Sequence, residues 1–312
     1  MTDTRHISVM LPEVLEALNP KDGGIYVDAT FGAGGYSKAI LDKADCKVIA
    51  LDRDPTAIAG ASELLEQYGE KLTLVNAKFS EVEEVVASYG YEKIDGIVFD
   101  IGVSSMQIDN AERGFSFSKK GPLDMRMSCN GVSAKDVVNK FKESDIADII
   151  FKYGEERASR RIARGIVFAR NIAPIETTED LAKIVHKSLA ANKKDRIDPA
   201  TKTFQALRIY VNSELDELET ALASSEKILK KDGVLVVVTF HSLEDRIVKN
   251  FIKEKTGKEN GNRHLPLNLK NKPTFYATVK NAVKPSLSET EQNPRSRSAK
   301  LRFALRTDTS II

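Results

Sequence analysis

The segment Asp28-Ala-Thr-Phe-Gly-Ala-Gly-Gly35 joins an acid, a cluster of glycines and the start of a helical pattern. The short apolar run Ile25-Tyr-Val precedes it, so the pattern is a strand, a glycine-rich turn and a helix. Glycines there let a ligand approach the backbone closely. Asp52 closes a second apolar run, 20 residues after Gly32. An acid so placed can accept hydrogen bonds from both ribose hydroxyls of an adenosine. The pattern suits NAD or S-adenosylmethionine. The dinucleotide fingerprint Gly-x-Gly-x-x-Gly matches at Gly32 and Gly34 but meets Ser37 at its third glycine. Asp28 would also repel a pyrophosphate. A sulfonium cofactor has no phosphate and carries a positive charge, so the residues favour S-adenosylmethionine.

Two further strand ends carry polar residues, Asp100-Ile-Gly-Val-Ser-Ser-Met-Gln107 and Phe240-His-Ser-Leu-Glu-Asp-Arg246. Either could simply cap a helix. The elements that must position these ends alternate. Strand patterns at Ile25–Asp28, Lys47–Leu51, Leu72–Val75 and Ile94–Phe99 are separated by helix patterns at Tyr36–Lys43, Pro55–Gln67 and after Ser80. Continuous β-branched runs between helices predict a parallel, doubly wound α/β sheet. The rhythm stops after Asp100. Gly102–Asn130 reads as loop, and Ser133–Ala191 as helices, with Ser133 as a cap and Thr177 and Asp180 as a capping box. A long helix is expected from Asp198-Pro199 to about Leu229, with Leu207, Val211, Leu215, Leu218 and Leu222 as one stripe. Gly233–His241 reads as the fifth strand, which makes the helical block an insertion between strands four and five. Thr274–Val279 and Lys300–Leu305 are expected to pair as an antiparallel hairpin at the sheet edge, with Pro285–Ser298 as a surface loop.

The 312 residues are 41% hydrophobic and 29% charged, which excludes a disordered chain. No apolar run is long enough to span a bilayer, and Met1–Asn19 lacks the regions of a signal peptide. Cys46 and Cys129 form no Cys-x-x-Cys pair, which excludes a disulfide framework and a zinc ribbon and points to the cytoplasm. His6, His186, His241 and His264 are scattered, so no metal is expected. The net charge of +2 is uneven: residues 252–312 carry 13 Lys+Arg against 5 Asp+Glu, a net of +8. A basic C-terminal quarter suggests a polyanionic partner.

Longer matches make a family visible. The chain resembles the bacterial ribosomal RNA small-subunit methyltransferase H family, also called the MraW family. The resemblance rests on His6 with Met10-Leu-Pro-Glu13, Asp28–Gly35, Asp52-Arg-Asp-Pro55, Asp100–Ser105, Glu112-Arg-Gly-Phe-Ser-Phe117 and Gly121-Pro-Leu-Asp-Met-Arg126. Tyr153-Gly-Glu-Glu-Arg157, Thr203-Phe-Gln-Ala-Leu-Arg208, Val211-Asn-Ser-Glu214, Phe240–Arg246 and Asn293-Pro-Arg-Ser-Arg297 complete it. The family methylates the exocyclic N4 of a cytidine in the decoding region of 16S rRNA. The resemblance implies a class I, Rossmann-like methyltransferase domain over residues 1–108 and 204–312, interrupted by a helical domain over 109–203 that recognises substrate. It further implies cofactor contacts at Gly34, Gly35, Tyr36, Asp52, Phe79, Asp100 and Gln107. Tyr36 stands where many relatives have His, and Met106 where many have Pro.

The reaction implied is an in-line displacement at the sulfonium methyl by a nitrogen whose lone pair is delocalised. It needs alignment and an acceptor for an amino hydrogen. Related amino-methyltransferases use an Asp/Asn-Pro-Pro-aromatic motif after strand four, which this chain lacks. Asp100 or His241 is expected to line the target pocket. RNA would be held by Arg157, Arg161 and Arg164, expected on one helical face, and by Arg295 and Arg297 in a loop suited to phosphate contacts. The expected partner is 16S rRNA within the 30S subunit. No feature sets an oligomeric state, and a homodimer is compatible with the sequence. Three other readings compete. A non-catalytic RNA-binding assembly factor would have lost the acids and glycines that are intact here. A DNA amino-methyltransferase would carry the missing Pro-Pro motif. An NAD-dependent dehydrogenase is the least favoured, because Ser37 breaks the fingerprint.

Overall fold

The computed structural model describes residues 8–189, 198–257, 273–276 and 281–309. His6, His264, residues 190 and 191 of the expected helical block and residues 277–279 of the expected sixth strand lie outside them. The chain divides into two compact units: residues 1–102 with 215–312, and residues 103–214.

The first unit is built on seven strands in the order β3-β2-β1-β4-β5-β7-β6. They are β1 (Ile25–Asp28), β2 (Lys47–Asp52), β3 (Leu72–Asn76), β4 (Ile94–Asp100), β5 (Leu229–Thr239), β6 (Phe275–Tyr276) and β7 (Lys300–Arg306). β1 to β5 are parallel; β7 runs antiparallel to both β5 and β6. The apolar runs are continuous because both faces are covered. Val27, Ile49, Leu51, Ile97, Phe99, Leu235 and Val237 pack in one core. Their neighbours Tyr26, Val48, Ala50, Val98, Val236 and Val238 pack in the other, as the two-residue period of a strand requires.

The helices in chain order are α1 (Leu11–Leu18), α2 (Gly35–Lys43), α3 (Pro55–Ala59), α4 (Ser62–Tyr68), α5 (Val82–Ser88), α6 (Ser105–Asp109) and α7 (Ala134–Lys140). α8 (Glu143–Gly154), α9 (Ser159–Arg170), α10 (Thr178–Ser188), α11 (Ala200–Asn212), α12 (Glu214–Ile228), α13 (Ser242–Lys255) and α14 (Leu287–Gln292) follow. Val82, Val85 and Val86 of α5, Leu218 and Leu222 of α12 and Val248 and Ile252 of α13 bury in the first core. Val14 and Leu18 of α1 and Ile40 and Leu41 of α2 bury in the second.

The second unit lies between β4 and β5 in sequence, and α7 to α11 form its core around Val137, Ile146, Ile150, Ile162, Ile166, Leu181, Phe204 and Leu207. Ser133 caps α7 and Thr177 caps α10, each with an acid three residues on completing a capping box.

Four local readings need correction. Pro55–Gln67 is two helices, because Gly60 ends α3. The long helix from Pro199 is also two, broken at Ser213, whose φ is 51°. Glu214 there accepts two hydrogen bonds from Arg208, at 2.8 and 2.7 Å. Asn212 spends its side chain on the Met125 carbonyl and the Met127 amide, at 2.7 and 2.8 Å. The expected stripe is therefore divided: Leu207 is in the helical core, Leu218 and Leu222 in a sheet core. The two compact units meet in sequence after Gly102 and after Glu214, the second close to this break. Gly102–Asn130 and Pro285–Ser298 are not wholly loop either. The first holds α6 and a 3₁₀ turn, and the second holds α14 and a 3₁₀ turn over Pro294–Ser298.

Candidate active site

Asp28, Asp52 and Asp100 are each the last residue of a parallel strand. Parallel strands put those ends on one edge of the sheet, where open α/β sheets bind ligands. The turn after β1 is pinned there by backbone bonds: Ala29 N donates to the Val98 carbonyl at 3.0 Å, and Phe31 N to the Leu51 carbonyl at 2.8 Å.

Asp28 is fully buried. Its Oδ2 accepts from Ser37 N at 3.1 Å and from Ser37 Oγ at 2.7 Å, and its Oδ1 accepts from Thr30 N at 3.2 Å. Burial pushes this carboxyl up to about 6, against the pull of those donors. The first turn of α2 is a natural anion site, and here Asp28 already fills it. Ser37, which breaks the dinucleotide fingerprint, thus has a positive role: it holds the acid that replaces a phosphate.

Asp52 reaches back over the same turn. Its Oδ2 accepts from Gly32 N at 2.7 Å and its Oδ1 from Asp54 N at 2.8 Å. Burial raises its carboxyl, against those two bonds. A carboxylate can accept about four hydrogen bonds, so two lone pairs remain for ribose hydroxyls. Gly32 and Gly34 have φ of 54° and 79°. A Cβ on Gly32 would meet only the Thr30 carbonyl oxygen at 3.9 Å, whereas one on Gly34 would lie 2.4 Å from Leu64 Cδ1. Gly32 leaves open space at the turn; Gly34 is needed for packing. Gly35 is needed for the N-terminal segment, since its Cβ would fall 1.8 Å from Ser8 Oγ.

Asp100 is half-buried, and its backbone N–H donates to Thr30 Oγ1 at 2.7 Å. Its Oδ1 is buried with no hydrogen-bond partner among the described residues. Burial first, then the negative charges of Asp28 and Glu244, push this carboxyl up to about 8, and the Tyr36 hydroxyl opposes them. The buried Tyr36 hydroxyl donates its one proton to the Val9 carbonyl. Phe79, after β3, is half-buried with its ring edge-on to Phe99 at 6.1 Å.

The remaining expected residues sit on other elements. His241 caps α13 at the end of β5: its Nδ1 accepts from Glu244 N at 3.4 Å, and its Nε2 lies 2.9 Å from Glu244 Oε1. Glu244 Oε2 accepts from Phe240 N and His241 N, at 2.8 and 3.2 Å. Gln107 belongs to the second unit, where its Oε1 accepts from Ser104 N at 3.0 Å in a capping box. The capping reading of both segments is therefore the one the structure displays. Arg157 precedes α9, so only Arg161 and Arg164 lie on its helical surface, both exposed. Arg295 and Arg297 are exposed on the 3₁₀ turn that replaces the expected loop. Sequence reasoning gave no role to Thr30 or Glu244 and read Ser37 only as a break in the dinucleotide fingerprint. The positions of Thr30 and Ser37, two and nine residues after Asp28, were the available signal.

A family model described as the MraW methylase family matches residues 3–307. The chain belongs to that family. It is 55% identical over 307 residues to the ribosomal RNA small subunit methyltransferase H of Rhodopseudomonas palustris (strain TIE-1), covering 98% of this chain and 92% of that one. It is 57% identical over 304 residues to the protein of the same name from Afipia carboxidovorans, covering 97% and 91%. Among solved structures it is similar to an rRNA methylase from Streptococcus thermophilus, at 12% identity and a TM-score of 0.43, over 99% of this chain and 100% of that one.

As an MraW methylase the chain is an S-adenosylmethionine-dependent methyltransferase on a class I, Rossmann-like sheet. Its own residues fit that cofactor. The helix terminus that would take a phosphate is filled by Asp28, Asp52 keeps acceptor capacity, and the strand ends offer carboxylates to a cation.

Proposed function

We propose that this methyltransferase transfers a methyl group to the exocyclic N4 of a cytidine in the decoding region of 16S rRNA, in the cytoplasm, with the 30S subunit as substrate. Small-subunit rRNA is the substrate for which its relatives are named. The observation that carries the chemistry is the unpartnered, buried Oδ1 of Asp100 at the carboxyl edge of the sheet.

S-adenosylmethionine supplies an electrophilic methyl group when bound. Asp52 would hold its ribose, Gly34, Gly35 and Tyr36 would shape the turn it rests on, and Phe79 would lie by its adenine. The protein must also deal with a weak nucleophile, because the cytosine amino lone pair is delocalised into the ring. Asp100 Oδ1 accepts a hydrogen bond from that amino group, which raises electron density on nitrogen and gives the departing proton a destination. His241 is the weaker of the two candidates for this task. Its Nδ1 already serves as an acceptor for Glu244 N, so it forms a fixed wall beside the end of β5.

A target in folded RNA must be unstacked before it can enter such a site. The helical unit is proposed to recognise the substrate, with Arg157, Arg161 and Arg164 on phosphates and Arg295 and Arg297 contributing from the other unit. The test is tritiated methyl transfer from S-adenosylmethionine to 30S subunits lacking the modification, followed by nucleoside analysis. Label in N4-methylcytidine at one decoding-region position is expected. Label in another nucleoside, or none despite cofactor binding, overturns the assignment.

A further inference from the structure

Helix α9, Ser159–Arg170, has the sequence SRRIARGIVFAR, with four arginines and no acid. Its inner face, Ile162, Ala163 and Ile166, is buried in the core of the helical unit. Its outer face is unusual. Arg161 and Arg164 are exposed, and Phe168 follows with 68% of its surface in solvent. Ile172, in the turn just beyond the helix, is 75% exposed. The steps from 161 to 164, 168 and 172 are three, four and four residues, so these side chains lie along one stripe. A stray exposed apolar residue is ordinary, but two large ones in line with two guanidinium groups are not.

The charges of the stripe are also poorly compensated by the protein. Arg160 and Arg161 sit in the first helical turn, where the helix dipole disfavours cations. Neither makes a hydrogen bond or ion pair among the described residues. Among the described residues Arg164 has only Glu143, at 4.0 Å on the surface. The helix therefore presents cations that its own surroundings do not need, interleaved with a bare aromatic ring. An acidic protein would satisfy the arginines but leave Phe168 in water, and a purely apolar partner would leave the arginines unpaired. A single RNA strand satisfies both, because its phosphates pair with guanidinium groups while its bases stack on aromatic faces.

We propose that the α9 stripe is a binding platform for single-stranded RNA, in which Phe168 stacks an unpaired base, Arg161 and Arg164 hold the adjoining phosphates, and Ile172 extends the apolar contact. This rests on the reading of the protein as an rRNA methyltransferase and assigns a residue, Phe168, that the motifs do not mark.

The experiment measures binding of the full chain to a fluorescein-labelled single-stranded RNA of decoding-region sequence, and to its duplex, across a range of salt. Phe168→Ala is expected to weaken single-strand binding about tenfold with an unchanged salt slope, since stacking releases no counterions. Phe168→Trp should retain affinity and Phe168→Leu should not, because leucine keeps the apolar surface but has no π face. Arg161→Ala with Arg164→Ala should instead flatten the slope, by about 0.7 for each phosphate no longer neutralised. Phe168 is exposed, so circular dichroism of its variants should match the parent. If wild-type protein binds RNA and Phe168→Ala binds equally well, or if Leu serves as well as Trp, the stacking assignment is wrong. If Phe168→Ala changes only the oligomeric state in sedimentation, the stripe is an interface between copies. If the wild type binds neither RNA, the platform is overturned, while methyl transfer to 30S subunits still tests the functional reading by itself.

Discussion

The Tyr36 hydroxyl has one proton and two acceptors around it, the Val9 carbonyl and the Asp100 carboxyl. Both are satisfied when Asp100 carries a proton of its own and donates it to Tyr36 Oη, which agrees with a carboxyl pushed up to about 8 by burial and by Asp28. The groups acting on Asp100 include Asp28, Tyr36 and Glu244, and no cation among them. The proposed cofactor brings one, and a nearby positive charge favours ionisation. Binding of S-adenosylmethionine at about pH 7 should therefore release protons. Titration calorimetry in buffers of different ionisation enthalpy should show this for S-adenosylmethionine, less for the uncharged S-adenosylhomocysteine, and not at all for Asp100→Asn. Equal release from wild type and variant would assign the proton elsewhere. The same shift sets a stability slope. From the ordinary value of 3.8 to about 8 the unfolded chain loses this proton while the native state keeps it, so native stability falls as pH rises through that window. Asp28, raised to about 6, adds to the fall over the lower part of the window. Denaturation midpoints at about pH 5 and about pH 8 should drop more for wild type than for Asp100→Asn; parallel drops would place the ionisation elsewhere.

At the scale of elements, the glycine turn separates packing from ligand access. Gly34→Ala forces a Cβ into Leu64 and Phe31 at a φ of 79°, and should cost about 1–3 kcal/mol of stability. Gly32→Ala meets open space, so it should cost about 1 kcal/mol while weakening cofactor binding. Urea melts beside cofactor titrations would separate the two; a Gly34 variant as stable as wild type would contradict the packing role. The break at Ser213 depends on a second device. Arg208 and Glu214 are paired through two bonds, with only 16% and 4% of their side chains exposed. Arg208→Ala leaves a buried carboxylate without its cation and should destabilise by about 3–5 kcal/mol. Replacing both partners with apolar residues should recover much of that loss, and a thermal-unfolding series on the single and double variants checks it.

At the scale of the whole molecule, the net charge of +2 hides a C-terminal stretch of residues 252–312 with a net of +8. Long-range steering of a polyanion depends on such local excess, not on the total. Charge reversal at Arg295 and Arg297 should weaken RNA binding and lower its salt dependence, because a phosphate that no arginine neutralises keeps its condensed counterions. An unchanged slope would remove these two residues from the interface.

The sheet was legible because its strands are buried on both faces, which forces unbroken apolar runs, and because each of Asp28, Asp52 and Asp100 interrupts such a run at its carboxyl end. The capping of α7 and α10 was legible for a related reason: Ser133 with Asp136, and Thr177 with Asp180, bond within one turn of chain. Local chemistry and short periods determined these features. The break at Ser213 and the exposure of Phe168 were decided only in three dimensions. The stripe from Leu207 to Leu222 fits one continuous helix equally well, and what divides it is the hold of Asn212 on residues 125 and 127, some 85 positions away. A sequence period tells which side of a helix seeks a partner, but the partner is chosen by contacts between distant segments, and with it which rings are buried and which carboxyl is left with an open oxygen.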